Sequence, residues 1–426
     1  MEQCSIQLPY GETMIEFTIP ERNLLGVYSP SDIAPVVDIE SEVKQALATP
    51  IGSPSLGELV KDKKKIVIVA DDNTRPTPTD KIIPILLNEM NKAGICDQQV
   101  TVIIALGTHR SMTAEEIMIK FGPEVVKRVK IINHDYKDPA GLIDLGKTRN
   151  GTPITINKLV YEADFKIGVG SIVPHHIPGF AGGAKIVQPG VCGEATTGFT
   201  HLLSTKEPRS LLGIEDNPVR RELNQIARQV GLHTIFNTVL DRHGRVVKGF
   251  FGDVEAAFNA GVKVSQAVYT VKVPQEADIV LAGSHPCDIE FWQAHKTLYA
   301  GERVVKQNGV IIVVTPCPEG VAKTHREIVD YAGLPSRQIK QMHQEGKIDD
   351  PVAAALGIAW AQVRERAQVY LVAGGISDDE ARKIGFTPFK NVVEALQAAL
   401  NVMGKQAKVA VLTHAPDTLP IIENLS

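Results

Sequence analysis

Three apolar, β-branched runs in the first half of this chain end in residues able to do chemistry. Ala70 leads into Asp71, Asp72, Asn73, Thr74 and Arg75; Leu106 leads into Gly107, Thr108, His109 and Arg110; Gly170 leads into Ser171 and, four positions on, His175 and His176. Carboxylate, guanidinium and imidazole groups together can hold an acidic substrate and move its protons, because an unperturbed imidazole titrates at about pH 6.5. Alone, Asp72 and Arg75 read as a turn with a surface ion pair. Three such ends point instead to a shared crevice, since ligands of parallel α/β sheets sit beyond the carboxyl ends of strands.

The segment from His175 to Gly190 follows, with Gly179, Gly182 and Gly183 ahead of Lys185 and Gly190 behind it. Glycines let backbone N–H groups approach an anionic ligand closely. A lysine among them serves as a phosphate point charge, a nucleophile or a covalent tether, or is an incidental side chain of a glycine-rich lid. His201 lies sixteen positions beyond Lys185, and His109, His175, His176 and His201 are four of only 12 histidines. Imidazole also binds nickel, zinc or copper, so spacing alone leaves a metal hydrolase open. In the second half, Gly283 to Asp288 ends another apolar run, and Phe291, Trp292, Gln293 and Lys296 fall on the helix that follows. Gln293 and Lys296 are three apart and share a face, turned to a ligand or to solvent.

The elements that must position these residues read as strands alternating with helices. Apolar runs at 65–70, 100–106 and 165–169, then at 279–282, 310–314, 369–372 and 409–412, predict mainly parallel strands covered on both faces. Asp80 to Ala93 places Ile83, Leu86, Leu87 and Met90 on one helical face; Thr113 with Glu116 forms a capping box; Asn217, Pro218 and Gly231 bracket another helix. Alternation over residues 3–20 suits a hairpin around Tyr10 and Gly11. A polar stretch from Thr270 to Glu276 is the best linker. The expected fold is α/β, with two domains (1–272 and 273–426), each a mainly parallel sheet flanked by helices, and an active site in the crevice between them. Whether the last strand returns to the first domain stays open.

Composition narrows the function classes. Hydrophobic residues make up 43%, charged residues 22%, and the net charge is −4, which gives no signature of a nucleic-acid partner. The five cysteines never form a CxxC pair. No run reaches the roughly 18 apolar residues a membrane span needs, and the first residues lack a signal-peptide pattern, so no membrane partner and a cytoplasmic location are expected.

In this order the motifs resemble the lactate racemase family. The specific element is His175-xxx-Gly179-Phe180-xx-Gly182-Gly183-x-Lys185, followed by Pro189, Gly190 and His201, with Asp72-xx-Arg75 and Gly107-Thr108-His109-Arg110 ahead of it. The resemblance implies a nickel-pincer nucleotide, a pyridinium-3,5-bisthiocarboxylic acid mononucleotide holding Ni(II), joined covalently to Lys185, close to Gly182 and Gly183, with His201 as a nickel ligand. It implies racemisation or epimerisation of a small 2-hydroxy acid, by proton-coupled hydride transfer through a 2-keto acid, with His109 and His175 as bases on opposite faces. Arg75 would hold the carboxylate, Asp72 would support a neighbouring base, and Gln293 and Lys296 would close the site. Trp292 and Ile177 would line the side-chain pocket, and cofactor-building enzymes would be needed as partners. The chain departs from the family at Ala184, where a basic residue is usual, and at Thr200, where asparagine is. A zinc- or iron-dependent hydrolase or lyase, and a non-catalytic nucleotide binder, are the alternatives.

Overall fold

The computed structural model describes residues 2–423. The chain opens with an antiparallel hairpin, β1 (Gln3–Tyr10) and β2 (Thr13–Pro20), turning at Gly11 as the alternation predicts. It continues into β3 (Leu24–Tyr28). The first sheet then forms from β4 (Ile66–Ala70), β5 (Val100–Ile104), β6 (Lys130–Asn133), β7 (Phe165–Ser171), β8 (Thr234–Leu240) and β9 (Val246–Gly252), in the order β9-β8-β7-β4-β5-β6. Only β9 runs antiparallel to its neighbour.

The second sheet contains β10 (Ala277–Gly283), β11 (Val305–Thr315), β12 (Gln368–Ala373), β13 (Thr387–Pro388) and β14 (Val409–Leu412). Its order is β13-β12-β11-β10-β14-β3, parallel throughout. The N-terminal strand β3 therefore belongs to the second sheet, and the hairpin covers that sheet's face, with Ile6, Leu8, Phe17 and Ile19 buried against Ile279, Leu281 and Ile312. The sequence grouped residues 1–272 together. Pairing of β3 with β14 is a contact between the two ends of the chain, which no local pattern encodes. The last sheet strand, β14, stays with the second sheet, and the expected linker is itself ordered: Thr270–Val273 pairs in parallel with Leu419–Ile422.

Helices cover both layers. The helix α1 (Thr79–Lys92) buries Ile83, Leu86, Leu87 and Met90. At α2 (Ala114–Arg128) the Thr113 hydroxyl accepts from the Glu116 N–H while Glu116 accepts from the Thr113 N–H, the reciprocal cap expected. His201 lies on α3 (Glu194–Ser204). Asn217 caps α4 (Pro218–Val230), and Gly231 ends it in the left-handed region. Next come the short α5 (Phe291–Ala294) and α6 (Lys296–Val304), and α7 (Pro351–Arg366) packs on α3. No helix among the described residues is long and apolar enough to cross a membrane.

The loop after β7 makes a two-residue hairpin in which His175 pairs with Gly179. Gly179 has φ +81, and a Cβ there would lie 1.9 Å from the Ile214 carbonyl oxygen. Gly94 has φ +88 but open space around it. Gly179→Ala should therefore destabilise the fold by about 2–4 kcal/mol, and Gly94→Ala by only about 1 kcal/mol. Thermal denaturation of the two variants checks this; equal melting temperatures would mean that the loop has room to yield.

Candidate active site

The loops at the carboxyl ends of β4, β5 and β7 face α5 and the starts of α6 and α7 across one cavity of about 900 Å³. Asp72, Arg75, His109, His175 and Ile177 line it from the first sheet's loops. Lys185 and Gly182 come from the glycine loop, His201 from α3, and Trp292, Gln293 and Lys296 from α5 and α6. Of the residues given a catalytic, binding or metal role from sequence, Gly183 lies behind the wall. There its N–H donates to Asn237 Oδ1 at 2.8 Å.

A chain of hydrogen bonds crosses the cavity. The Asp72 carboxylate takes the His109 Nδ1 proton at 2.6 Å and also accepts from the Thr74 N–H and hydroxyl. Burial pushes the Asp72 carboxyl up, but His109, Arg75 and Thr74 outweigh it and hold the group well below the usual carboxylate range. His109 Nε2 then accepts from Gln293 Nε2 at 2.9 Å, and Gln293 Oε1 accepts from Lys296 Nζ at 2.5 Å. Burial, with Arg75 nearby, lowers Lys296 to about 8. Arg75 bonds only to the carbonyl and hydroxyl of Thr74 through one terminal nitrogen, which leaves its other donors for an anion.

His175 is set differently. Its Nδ1 accepts the Ile177 N–H at 3.2 Å, and its ring stacks on His176 with centroids 4.6 Å apart. His176 in turn stacks on Tyr299 at 4.2 Å and meets His295 edge-on at 4.8 Å, and neither of its buried ring nitrogens has a hydrogen-bond partner. Burial, then the neighbouring cations and imidazoles, holds His175 and His176 well below the ordinary histidine value.

The Lys185 amine has no hydrogen-bond or ion-pair partner among the described residues. Burial first, then Arg75, Lys296 and Arg220, pushes it well below the ordinary lysine value, which disfavours its positive form. The loop that carries it is pinned by Arg220, whose guanidinium donates to the carbonyls of Pro178, Phe180 and Gly182 and lies 4.2 Å from the Phe258 ring centre. Gly182 and Gly183 have φ +86 and +58, and a Cβ on either would run into Ile172 or Phe258. His201 donates from Nδ1 to the Thr197 carbonyl at 2.9 Å, which frees the Nε2 lone pair, and burial beside Lys185 lowers it to about 3. Among the described residues one group has the convergence of a simple metal site, His325, Glu327 and Asp350, and it includes none of the cavity's histidines. His325 instead stacks flat under Trp292 at 4.0 Å.

Sequence reasoning missed Asn237, Arg220, His295 and Tyr299. Asn237 carries a readable signal, a polar residue inside the buried run Thr234–Leu240. The others are brought in by helices whose facing only the fold decides.

Two α/β layers meeting at a cavity lined by a lysine on a glycine loop, an arginine and several histidines define an enzyme site for a small acidic substrate. Residues 10–213 match the family model described as lactate racemase N-terminal domain, and residues 271–422 match lactate racemase C-terminal domain. The chain is 30% identical to the lactate racemase of Thermoanaerobacterium thermosaccharolyticum, over 98% of this chain and 99% of that one. It is also 30% identical to that of Lactiplantibacillus plantarum, with the same coverage. The lactate racemase apoprotein structure from T. thermosaccharolyticum superposes with a TM-score of 0.88 at 28% identity, covering 98% of this chain and all of that one. A Thermotoga maritima protein shares the fold, with a TM-score of 0.72 at 21% identity over 93% of this chain and 100% of that one. The chain belongs to the lactate racemase family, and it is an isomerase.

The buried imidazoles make acid stability predictable. His176 and His295 are neutral in the fold at pH values where they would be charged in the unfolded chain. Below about pH 6.5 the unfolded chain therefore binds more protons, and each such histidine weakens the fold by about 1.4 kcal/mol per pH unit. The melting temperature of the cofactor-free protein should fall between about pH 7 and pH 5, and His295→Gln should flatten that fall. A melting temperature independent of pH there would mean that these rings can charge in place.

Proposed function

We propose that this protein inverts C2 of a small 2-hydroxy acid, lactate first among them, with a nickel-pincer nucleotide tethered to Lys185 and His201 as the metal's protein ligand. The observation that carries the reading is the convergence, in one cavity, of a neutral lysine, a histidine with a free Nε2 and two further histidines in opposite hydrogen-bonding states. These residues fit the group. A neutral amine is what covalent attachment needs, and glycines at 182 and 183, where a Cβ would meet Ile172 or Phe258, let the loop lie flat against the protein and leave the cavity in front of it open. When bound, the group supplies an acceptor and donor of hydride at C2.

The chain's own residues do the rest. Arg75 holds the substrate carboxylate and so fixes C2. His109, with its Nδ1 proton held by Asp72, presents Nε2 as the acceptor for a hydroxyl proton on one face. His175 serves the other face. A planar 2-keto acid held between the two imidazoles can regain its hydroxyl proton from either, and the centre is inverted when C2 takes its hydrogen back on the opposite face. Gln293 gives up its hydrogen bond to His109 Nε2 when the hydroxyl takes that place, and Lys296 supplies positive charge beside it. The layer built on the second sheet closes on the first and excludes water. The reading also puts the protein in the cytoplasm with the enzymes that build the nucleotide.

Co-production with a working cofactor pathway, followed by intact-mass measurement, tests this. A nickel-containing adduct is expected on the wild-type chain and not on Lys185→Ala. Loaded enzyme should interconvert the enantiomers of lactate, and His109→Asn and His175→Asn should each lower kcat by about 10²–10⁴ while leaving the adduct in place. An unmodified chain, beside a known racemase that is modified, refutes the tether.

A further inference from the structure

The cavity has an annex that none of the roles above uses. Behind Arg75, His175 and Lys296, which border both spaces, a side pocket of about 460 Å³ runs between the loops after β4, β7, β10 and β14. Its walls are mostly apolar, from Val173, Leu240, Pro286 and Pro416. Tyr269 also lines it, with its hydroxyl proton already given to the Leu240 carbonyl at 2.5 Å.

Asp417 is the one carboxylate among the residues that line this mostly apolar space, with the cations Arg75 and Lys296 at its border. Asp417 ends the single-turn 3₁₀ helix Ala415–Asp417 that follows β14 and packs against α6. That position is again the carboxyl end of a parallel strand, where such sheets bind ligands. No hydrogen bond or ion pair reaches the Asp417 carboxylate among the described residues. Burial raises the Asp417 carboxyl to about 6, against the pull of Lys296, Arg75 and His285. A carboxylate taken from water without a donor is unfavourable, so an occupant that donates to it gains more than an apolar one of the same shape.

We propose that this pocket receives the substituent on C2, and that Asp417 selects 2-hydroxy acids whose side chain is longer than methyl, apolar near C2 and ends in a neutral hydrogen-bond donor such as a hydroxyl. The proposal rests on the racemase reading of the main cavity. A substrate with its carboxylate on Arg75 and C2 beside His175 has its third carbon at the mouth of the pocket. The apolar walls cover the methylenes and the terminal hydroxyl donates to Asp417. A terminal carboxylate in the same place meets Asp417 as a like charge, so dicarboxylic 2-hydroxy acids are disfavoured.

Three acids of matched length separate these terms: 2,5-dihydroxypentanoate, its isostere 2-hydroxyhexanoate, and 2-hydroxyglutarate. Cofactor-loaded wild-type enzyme should invert 2,5-dihydroxypentanoate with a kcat/KM about tenfold or more above that for 2-hydroxyhexanoate, and further above that for 2-hydroxyglutarate. Asp417→Asn should raise 2-hydroxyglutarate relative to 2,5-dihydroxypentanoate by about tenfold, and Asp417→Leu should make 2-hydroxyhexanoate the best of the three. Calorimetric titration of the cofactor-free protein with the same acids gives a second readout, in which 2,5-dihydroxypentanoate binds more weakly to both variants than to wild type. Equal rates for the three acids on wild type, or ratios unmoved by both substitutions, overturn the proposal. Loss of all inversion, lactate included, with the calorimetric order intact would refute the racemase reading while leaving the pocket's selectivity standing.

Discussion

A lysine amine with no carboxylate bonded to it among the described residues is the condition around which this molecule is arranged. The fold sets Lys185 in a cavity wall and holds the loop that carries it. Asn237 and Arg220 fasten the glycine loop from below, and glycines at 182 and 183 let it lie against Ile172 and Phe258 where any side chain would lift it away. The neighbours facing the amine are mostly cations or imidazoles, Arg75, Lys296 and the histidines, so its positive form is disfavoured. Burial, with the same crowding, lowers the pKa of His175, His176, His201 and His295 as well. The cavity thus favours lone pairs over charged N–H groups, which the proposed function requires of it.

The two sheets supply complementary halves of this arrangement. The first provides the loop, the imidazoles and Arg75; the second provides Gln293 and Lys296, and the link between them is the bond from the Gln293 amide to His109. Around it the halves are tied at the rim, where Arg110 pairs with Glu319 at 3.0 Å and Thr324 donates to the Thr108 carbonyl at 3.0 Å. Rim pairs of this kind set alignment more than affinity. Whatever takes the place of Gln293 at His109 Nε2 would thus be coupled to the position of α5, because Gln293 belongs to the other layer.

Much of this was readable in the residues, and the boundary of legibility has physical causes. Strand ends at Ala70, Leu106 and Gly170 announce the cavity because a buried parallel strand is continuously apolar and its chemistry begins where that run stops. Helix caps at Thr113, Asn217 and Gly231 are local, and local rules found them. The strands β8 and β9 went unread, since β8 interrupts its apolar run with Asn237 and Thr238. Membership of β3 in the second sheet depends on pairing with β14 nearly a whole chain length away. Likewise His295, Tyr299 and His176 meet only because α5 and α6 turn inward, and Trp292 is held flat by His325 from a distant loop.

The two proton-handling histidines are not equivalent, and the asymmetry follows from their backbone settings. His109 follows the tight turn at Gly107 and gives its Nδ1 proton to a carboxylate, so Nε2 is the acceptor and a gained proton is stabilised by Asp72. His175 sits in a two-residue hairpin whose own N–H at Ile177 points at Nδ1, so its proton rests on Nε2 and no carboxylate lies behind it. The two rings therefore turn different atoms to the cavity, a lone pair from His109 and an N–H from His175. In the proposed reaction a proton gained by His109 is stabilised by Asp72, whereas one gained by His175 has no carboxylate against it among the described residues.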